Sequence, residues 1–592
     1  PYGGELMYQN TENYNYTVRG QMDYNKYLDV EKKHFINAAG GGEISSAQYF
    51  GLSQTYRGYL KERGKKMAGV DAVEYPAFAQ WLSSDPAALG VWQDKITNRV
   101  GGYATLSYTY NNNYTLNANI RADASNRFGS RANERLAPVY SFSGRWNVKN
   151  TVLHAANWVD ALDLRASFGF QGNMVERISS QLILQREGID ADFGGYESSV
   201  YSYANPDLRW EKTASYNASL DFSLFRKGLQ GSMSYFYKKT MDAFLNKNIS
   251  SINGIGQWTV NEGELENQGI ELSLTFTPID TRSRNVNGFR WSMTTNFGRV
   301  MNNVSGRDKD KTLTSRIDYN GYLNGTLEIQ GRPLNSFYSY QYLHLNPLNG
   351  APVFYGSEQV IYVNNQRIDL LEKYKNMELT DIYSDVLTYS GTRVPIIQGS
   401  VFHNFAWRRF SMSLTTSYSF GSKIRLLKMY PNVSSEYLTI APQPTANVRK
   451  EFLDRWRNPG DELYTNIPGV VSGSDFQSTF DNRMWWGDNQ NIFLQPIQFA
   501  DNIWTMYDKS DLRVVSGNFV KIQSMSLRYN LPENFCKKLS LRSAYLGLSG
   551  TNLYTFASSR LKGQDPASQD GTAPTINMSL RPTYSFMLNV SF

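Results

Sequence analysis

The chain has 592 residues, with 60 Lys and Arg against 53 Asp and Glu for a formal net charge of +7, and its 40 Tyr help lift aromatics to 14% while hydrophobic residues stay at 41%. The charges are spread along the whole chain without a basic stripe, which argues against a nucleic-acid partner, and the single cysteine, Cys536, excludes an intrachain disulfide or a multi-cysteine metal site. A mean hydropathy of −0.48 and the absence of any apolar run near about 18 residues exclude helical membrane spans, so a membrane-spanning form has to be a closed β-barrel.

The first periodic segment, residues 14–25, reads YNYTVRGQMDYN. Tyr14, Tyr16, Val18, Gly20, Met22 and Tyr24 fall on one face, and Asn15, Thr17, Arg19, Gln21, Asp23 and Asn25 on the other. A side-chain period of two is that of a strand with one apolar and one polar face. The pattern returns near 33–42 and 100–110, and again over 114–123, where Tyr114, Leu116, Ala118, Ile120 and Ala122 oppose Thr115, Asn117, Asn119, Arg121 and Asp123. Further strands are expected near 138–148, 161–170, 214–225, 229–240, 264–277, 288–299, 397–406, 410–420, 517–530, 541–550 and 583–592, about fifteen in all.

The connections between these segments alternate short and long without exception, from the short 26–32 and long 43–99 to the short 531–540 and long 551–582. Short periplasmic turns and long extracellular loops mark an outer-membrane barrel, and a soluble sandwich has no reason to keep that alternation. A strand of roughly ten residues at ~3.3 Å rise and ~40° tilt spans about 25 Å, the height of the apolar band. The apolar face is therefore expected to meet lipid, and Asn117, Asn119, Arg121 and Asp123 the lumen. Tyr108, Tyr110 and Tyr114 flank the short NNN turn and belong to a periplasmic aromatic girdle, with Tyr14 and Tyr16 in the outer one.

Several blocks point to a family. They are ADASNRFGSRANERLAPVYSFSGRW (122–146), LRASFGFQGN (164–173), NPDLRWEKTASYNASLDFSLFRKGLQGSMSYFYKKTMDAFL (205–245), GELENQGIELSLTFTP (263–278), FLDRWRNPGD (452–461), GNFVKIQSMSLRYNLP (517–532) and SGTNLYTFASSRLKGQDPAS (549–568). In this order they resemble the SusC/RagA family of TonB-linked outer-membrane transporters of Bacteroidota, and the terminal FMLNVSF resembles that family's barrel-assembly signal. The resemblance implies a barrel of 22 strands around an N-terminal plug preceded by a TonB box. Counted back from a last strand that descends to the periplasm, fifteen strands leave the plug, the TonB box and the first seven strands outside this chain. The chain starts at Pro1 without a signal peptide, so its N-terminus is expected to be processed, cleaved or missing. The implied partners are a SusD-like surface lipoprotein over the long loops, the TonB–ExbB–ExbD system acting through the plug, the N-terminal plug and barrel portion of the same transporter, and outer-membrane lipid. The implied activity is TonB-dependent import of glycan or peptide oligomers, with a passive porin or an outer-membrane enzyme as alternatives.

No catalytic constellation, cofactor motif or metal site emerges. His34, His154, His344 and His403 are scattered, without an H-E-x-x-H, a G-x-S-x-G elbow or a phosphate loop. Asp308 and Asp310 in GRDKDK alternate with lysines and read as a solvated loop. The candidate ligand contacts are aromatic: Trp456, Trp485, Trp486 and Trp504 in the connection 421–516 offer flat rings for sugar or peptide, against the plainer reading that each packs the loop onto itself.

Overall fold

The structure, a computed structural model, describes residues 4–592 apart from 70, 72, 84–90, 127–135, 174–181, 190–195, 249–251, 253–256, 283–286, 306–318, 327–328, 330, 357–359, 364–365, 375–376, 378, 430–447, 471–502, 562 and 568–580. The chain divides into two compact units: residues 1–146, 167–215 and 241–261, and residues 147–166, 216–240 and 262–592. Both are built on antiparallel strands that follow one another in chain order.

Among the described residues, fifteen strands form the meander. They are β1 (Gly4–Tyr27), β2 (His34–Leu60), β3 (Val91–Tyr110), β4 (Tyr114–Ser125), β5 (Leu136–Asn147), β6 (Val159–Asn173), β7 (Glu211–Leu224), β8 (Leu229–Asn248), β9 (Gln257–Asp280), β10 (Phe289–Val304), β11 (Ile397–Trp407), β12 (Phe410–Phe420), β13 (Phe519–Asn530), β14 (Ser543–Ala557) and β15 (Thr583–Ser591). β1 to β4 lie in the first unit and β10 to β15 in the second, while β5 to β9 divide their residues between the two.

Strand length is where the structure departs from the sequence reading. β2 has 27 residues and continues through 43–60, read above as connection, where it stays paired with β1 as far as Gly4↔Tyr59. β9 likewise has 24 residues. A strand that leaves the apolar layer still has N–H and C=O groups to satisfy, and the neighbouring strand is the nearest partner.

Alternation shapes both faces. On the apolar side of β3 to β5, Leu106, Leu116, Ile120 and Phe142 are all exposed, so among the described residues this face is not covered by a second layer. At the short-turn end it finishes in aromatic rings, with Tyr110, Tyr114 and Trp146 stacked at 6.5 Å spacings. In the second unit the same end carries Trp158 on Phe225 at 5.9 Å, Trp291 on Phe405 at 5.9 Å and Phe410 on Tyr529 at 4.6 Å. His34 and His403 belong to these ring clusters, His34 Nδ1 lying 2.6 Å from Tyr108 Oη and Trp291 Nε1 donating to His403 Nδ1 at 3.3 Å.

The long connections are not structureless. Between β10 and β11, Ser336–Tyr340 pairs with Leu387–Thr392, and two hairpins and three short helices stand around them. Between β12 and β13, Lys423–Arg425 pairs with Val514–Ser516 ahead of β13. These segments bury a common core that includes Tyr340, Phe354, Leu370, Tyr374, Trp504 and Tyr507. Cys536 is buried in the short helix Glu533–Lys538 between β13 and β14.

Candidate functional site

The polar face of β1 to β4 gathers a set of charged and aromatic groups through strand register alone. Tyr103 sits on the polar side of β3, opposite Gly41 of β2 and Arg121 of β4. Its ring lies under the Arg19 guanidinium at 4.8 Å and beside that of Arg121 at 5.9 Å. Its hydroxyl accepts from Arg19 Nε at 2.7 Å and donates to Gln21 Oε1 at 2.6 Å. Arg121 in turn donates to Asp123 at 2.6 Å and lies 3.6 Å from Glu43. Two carboxylates thus balance Arg121, and the cluster presents directional donors and acceptors rather than a net field.

Beside it, a cavity of about 330 Å³ is lined by Glu43, Ser45, Arg99, Arg121, Asp123 and Trp210. An aromatic ring among hydroxyl, carboxylate and guanidinium groups suits a polar, largely uncharged ligand such as a sugar or a peptide backbone. Of the residues marked in the sequence, Arg121 and Asp123 line this cavity. Asn117 and Asn119 stand lower on the same face and are tied to β5 through Ser143 at 3.0 Å and Ser141 at 3.1 Å. Arg19, Glu43, Tyr103 and Trp210 were not marked. The signal for Tyr103 was present, because its number has the opposite parity to Tyr108 and Tyr110 and so places it on the polar face.

Gly41 makes this cluster possible. A Cβ there would stand 2.5 Å from the Gly20 carbonyl oxygen and 2.6 Å from Tyr103 Oη, so any larger residue displaces the ring. Gly41→Val should cost about 1–3 kcal/mol through overpacking and detach Tyr103 from Arg19. A lowered urea midpoint together with lost tyrosine hydroxyl protection checks this, and an unchanged midpoint would show that the ring is not seated on the glycine.

The loop tryptophans occupy different settings. Trp504 is fully buried in the loop-built core. Trp456 is 9% exposed; its indole donates to Glu462 at 3.0 Å, and its ring lies against Gly350 and Gly469. In this arrangement neither offers an open ring face to a ligand. Trp485 and Trp486, and Asp308 and Asp310, lie outside the described residues. Gln564 of the GQDPAS stretch is buried and accepts from the Leu427 amide at 2.9 Å, which fits a loop-shaping role.

Two buried arginines cross-link the loop core. Arg425 donates to the carbonyls of Leu323 and Tyr338 and to Ser339 Oγ. Arg513 donates to the Leu427 carbonyl at 2.6 Å and to Glu451 at 3.2 Å, with Asp508 at 4.0 Å. Burial pushes the Glu451 carboxyl up, but Arg513 and Arg449 more than offset this and hold it below its ordinary value. Lys373 and Tyr374 both donate to Asp385, and burial with that carboxylate raises the Tyr374 phenol. Among the described residues no group of three or more His, Cys, Asp or Glu side chains is placed to hold a metal ion.

Comparison with known proteins agrees with this architecture. The family described as TonB dependent receptor-like, beta-barrel matches residues 2–389. TonB-dependent receptor P3 of Formosa agariphila is 24% identical over 478 residues, covering 79% of this chain and 42% of that protein. TonB-dependent receptor SusC of Bacteroides thetaiotaomicron is 28% identical over 270 residues, covering 43% of this chain and 26% of that protein. The RagAB peptide importer in its closed-closed state superposes with a TM-score of 0.74 at 18% identity, over 99% of this chain and 56% of that one. The matched stretches thus cover less than half the length of these curated relatives. With that family matched over most of its length, the chain belongs to the TonB dependent receptor-like, beta-barrel family and is an outer-membrane β-barrel protein.

Proposed function

We propose that this chain provides barrel wall and extracellular loops to a TonB-dependent importer of large nutrients, glycan or peptide oligomers, working with a SusD-like surface lipoprotein. The observation that carries the reading is the family match, joined to a fold like that of the RagAB peptide importer. The loop core supports it, because a folded mass above the wall gives a lipoprotein a rigid surface to dock on. In this reading Asn117, Asn119, Arg121 and Asp123 face the lumen, the cavity beside Tyr103 contacts passing substrate, and Trp485 and Trp486 remain candidate ligand contacts. The plug, the TonB box and the remaining strands belong to the same transporter, and TonB–ExbB–ExbD acts through that plug.

Deleting the gene should abolish growth on one class of oligomer, glycan or peptide, while growth on the matching monomers persists. Uptake should also stop when the proton gradient is dissipated. Uptake that survives a protonophore would favour a passive porin, and growth on every oligomer tried would overturn the importer reading.

A further inference from the structure

The cations of this chain are dispersed in sequence, yet the topology brings six of them to one end of the second unit. Arg226 and Lys227 occupy the β7–β8 turn, Arg408 and Arg409 the β11–β12 turn, and Lys537 and Lys538 the β13–β14 connection. These connections join antiparallel neighbours at the short-turn end, which is the periplasmic end of an outer-membrane barrel. All six side chains are exposed, and none forms an ion pair among the described residues.

The acidic groups at these turns are fewer than the basic ones. Among the described residues of these turns, Asp160 accepts the Lys227 amide at 2.8 Å, Asp280 lies 3.6 Å from Arg290 and Glu533 is exposed, so the six cations outnumber these carboxylates. The turns also hold their cations in unusual backbone, with Arg226, Lys227 and Arg408 at φ of 55°, 64° and 50°. Left-handed backbone disfavours side chains of this size, so the basic identity of these turns is not a by-product of turn chemistry, which would select Gly or Asn.

The aromatic belt sets their depth. Phe225, Trp407 and Phe410 are exposed and directly adjoin the cations in sequence, and the Arg408 guanidinium lies 5.2 Å over the Trp407 ring. Aromatic rings of this kind sit at the boundary between hydrocarbon and headgroups. A residue one or two positions further on stands only about 3–7 Å beyond that boundary, at the level of lipid phosphates.

We propose that this periplasmic rim binds the anionic phosphodiester headgroups of inner-leaflet phospholipid, of the phosphatidylglycerol or cardiolipin class, and holds an anionic lipid annulus around the base of the wall. Each basic side chain near an anionic surface is worth about a fivefold preference, screened within a Debye length. The aromatic neighbours fix the height of the cations relative to the phosphates, so the charge is not lost to rocking of the wall.

The test uses the transporter assembly purified from outer membranes and reconstituted in phosphatidylcholine vesicles, with a spin-labelled phosphatidylglycerol or phosphatidylcholine probe. The native assembly should retain the phosphatidylglycerol probe at least about fivefold more than the phosphatidylcholine one. That preference should fall towards unity at ~0.5 M salt, where the screening length approaches a few ångströms. It should also fall in the variant Arg226→Gln, Lys227→Gln, Arg408→Gln, Arg409→Gln, while inorganic phosphate should not displace the probe. If the fourfold variant does not assemble, Arg408→Gln with Arg409→Gln should lose part of the preference. An undiminished preference in the variants overturns the proposal. So does a native assembly that shows no phosphatidylglycerol preference while the variants lose a co-purifying acidic protein, which would assign the rim to that partner instead.

Discussion

Arginine in place of Ala118 should cost barrel assembly about 2–4 kcal/mol, whereas arginine in place of the adjacent Asn117 should be tolerated far better. Ala118 is paired between Leu106 and Phe142 on the face whose large side chains are exposed. It stands four residues from Tyr114, whose ring belongs to the aromatic belt, and thus about 10 Å into an apolar band of about 25 Å. A guanidinium there has no water and too little reach to find the interface. Asn117 is on the opposite face, where its amide donates to Ser143 at 3.0 Å among other polar side chains. Replacing it forfeits about 1 kcal/mol of hydrogen bonding but buries no charge. Urea titration of the heat-modifiable folded form, read for both variants in the same vesicles, decides the matter, and equal shifts would mean that the two faces have been assigned wrongly.

Removing the buried guanidinium of Arg513 should loosen the loop core while sparing the wall. Arg513 is only 3% exposed and reaches groups from three segments: the Leu427 carbonyl, Glu451 and Asp508. Arg513→Met takes a cation from the buried Asp508 carboxylate, which accepts from the Met429 amide at 2.8 Å, and strips one of the two arginines from Glu451. Breaking a buried pair from one side costs about 3–5 kcal/mol, because the remaining charge is still out of water. Hydrogen exchange at Met429 and Tyr507 should accelerate, and proteases should cut between 421 and 513, while β12 and β13 keep their protection.

The same site should respond to acid. The Glu451 carboxyl is held below its ordinary 4.5, so the stability it contributes is complete above that pH and is lost as the pH falls through the lower folded value. Opening of the loop core should therefore increase below about pH 4.5, and Glu451→Gln should flatten that part of the profile. A profile identical in the variant would place the acid sensitivity elsewhere.

The sequence by itself determined the wall. A strand exposes alternate side chains to opposite sides, so the polar and apolar parity of 14–25 and 114–123 could be read residue by residue without knowing any partner, and the short turns were marked by flanking aromatic residues. The order of the strands followed as well, because hairpins joined by a few residues have little choice but to pair. What the sequence could not show depends on contacts between distant positions. The continuation of β2 through 43–60 carries no clean alternation, since beyond the apolar layer neither face has to be uniformly greasy, and only pairing with β1 and β3 keeps it extended. Arg19 meets Tyr103 across 84 positions, a proximity decided by register rather than by any local pattern. Trp504 and Trp456 are legible only as aromatic residues in a long connection; Trp504 is withdrawn from solvent in a core it shares with Tyr340, Phe354, Leu370 and Tyr374, and Trp456 by Glu462 and the close approach of Gly350 and Gly469. Local periodicity encodes which face a residue shares, and the tertiary structure decides which residues of one face, or of two remote loops, come within reach of each other.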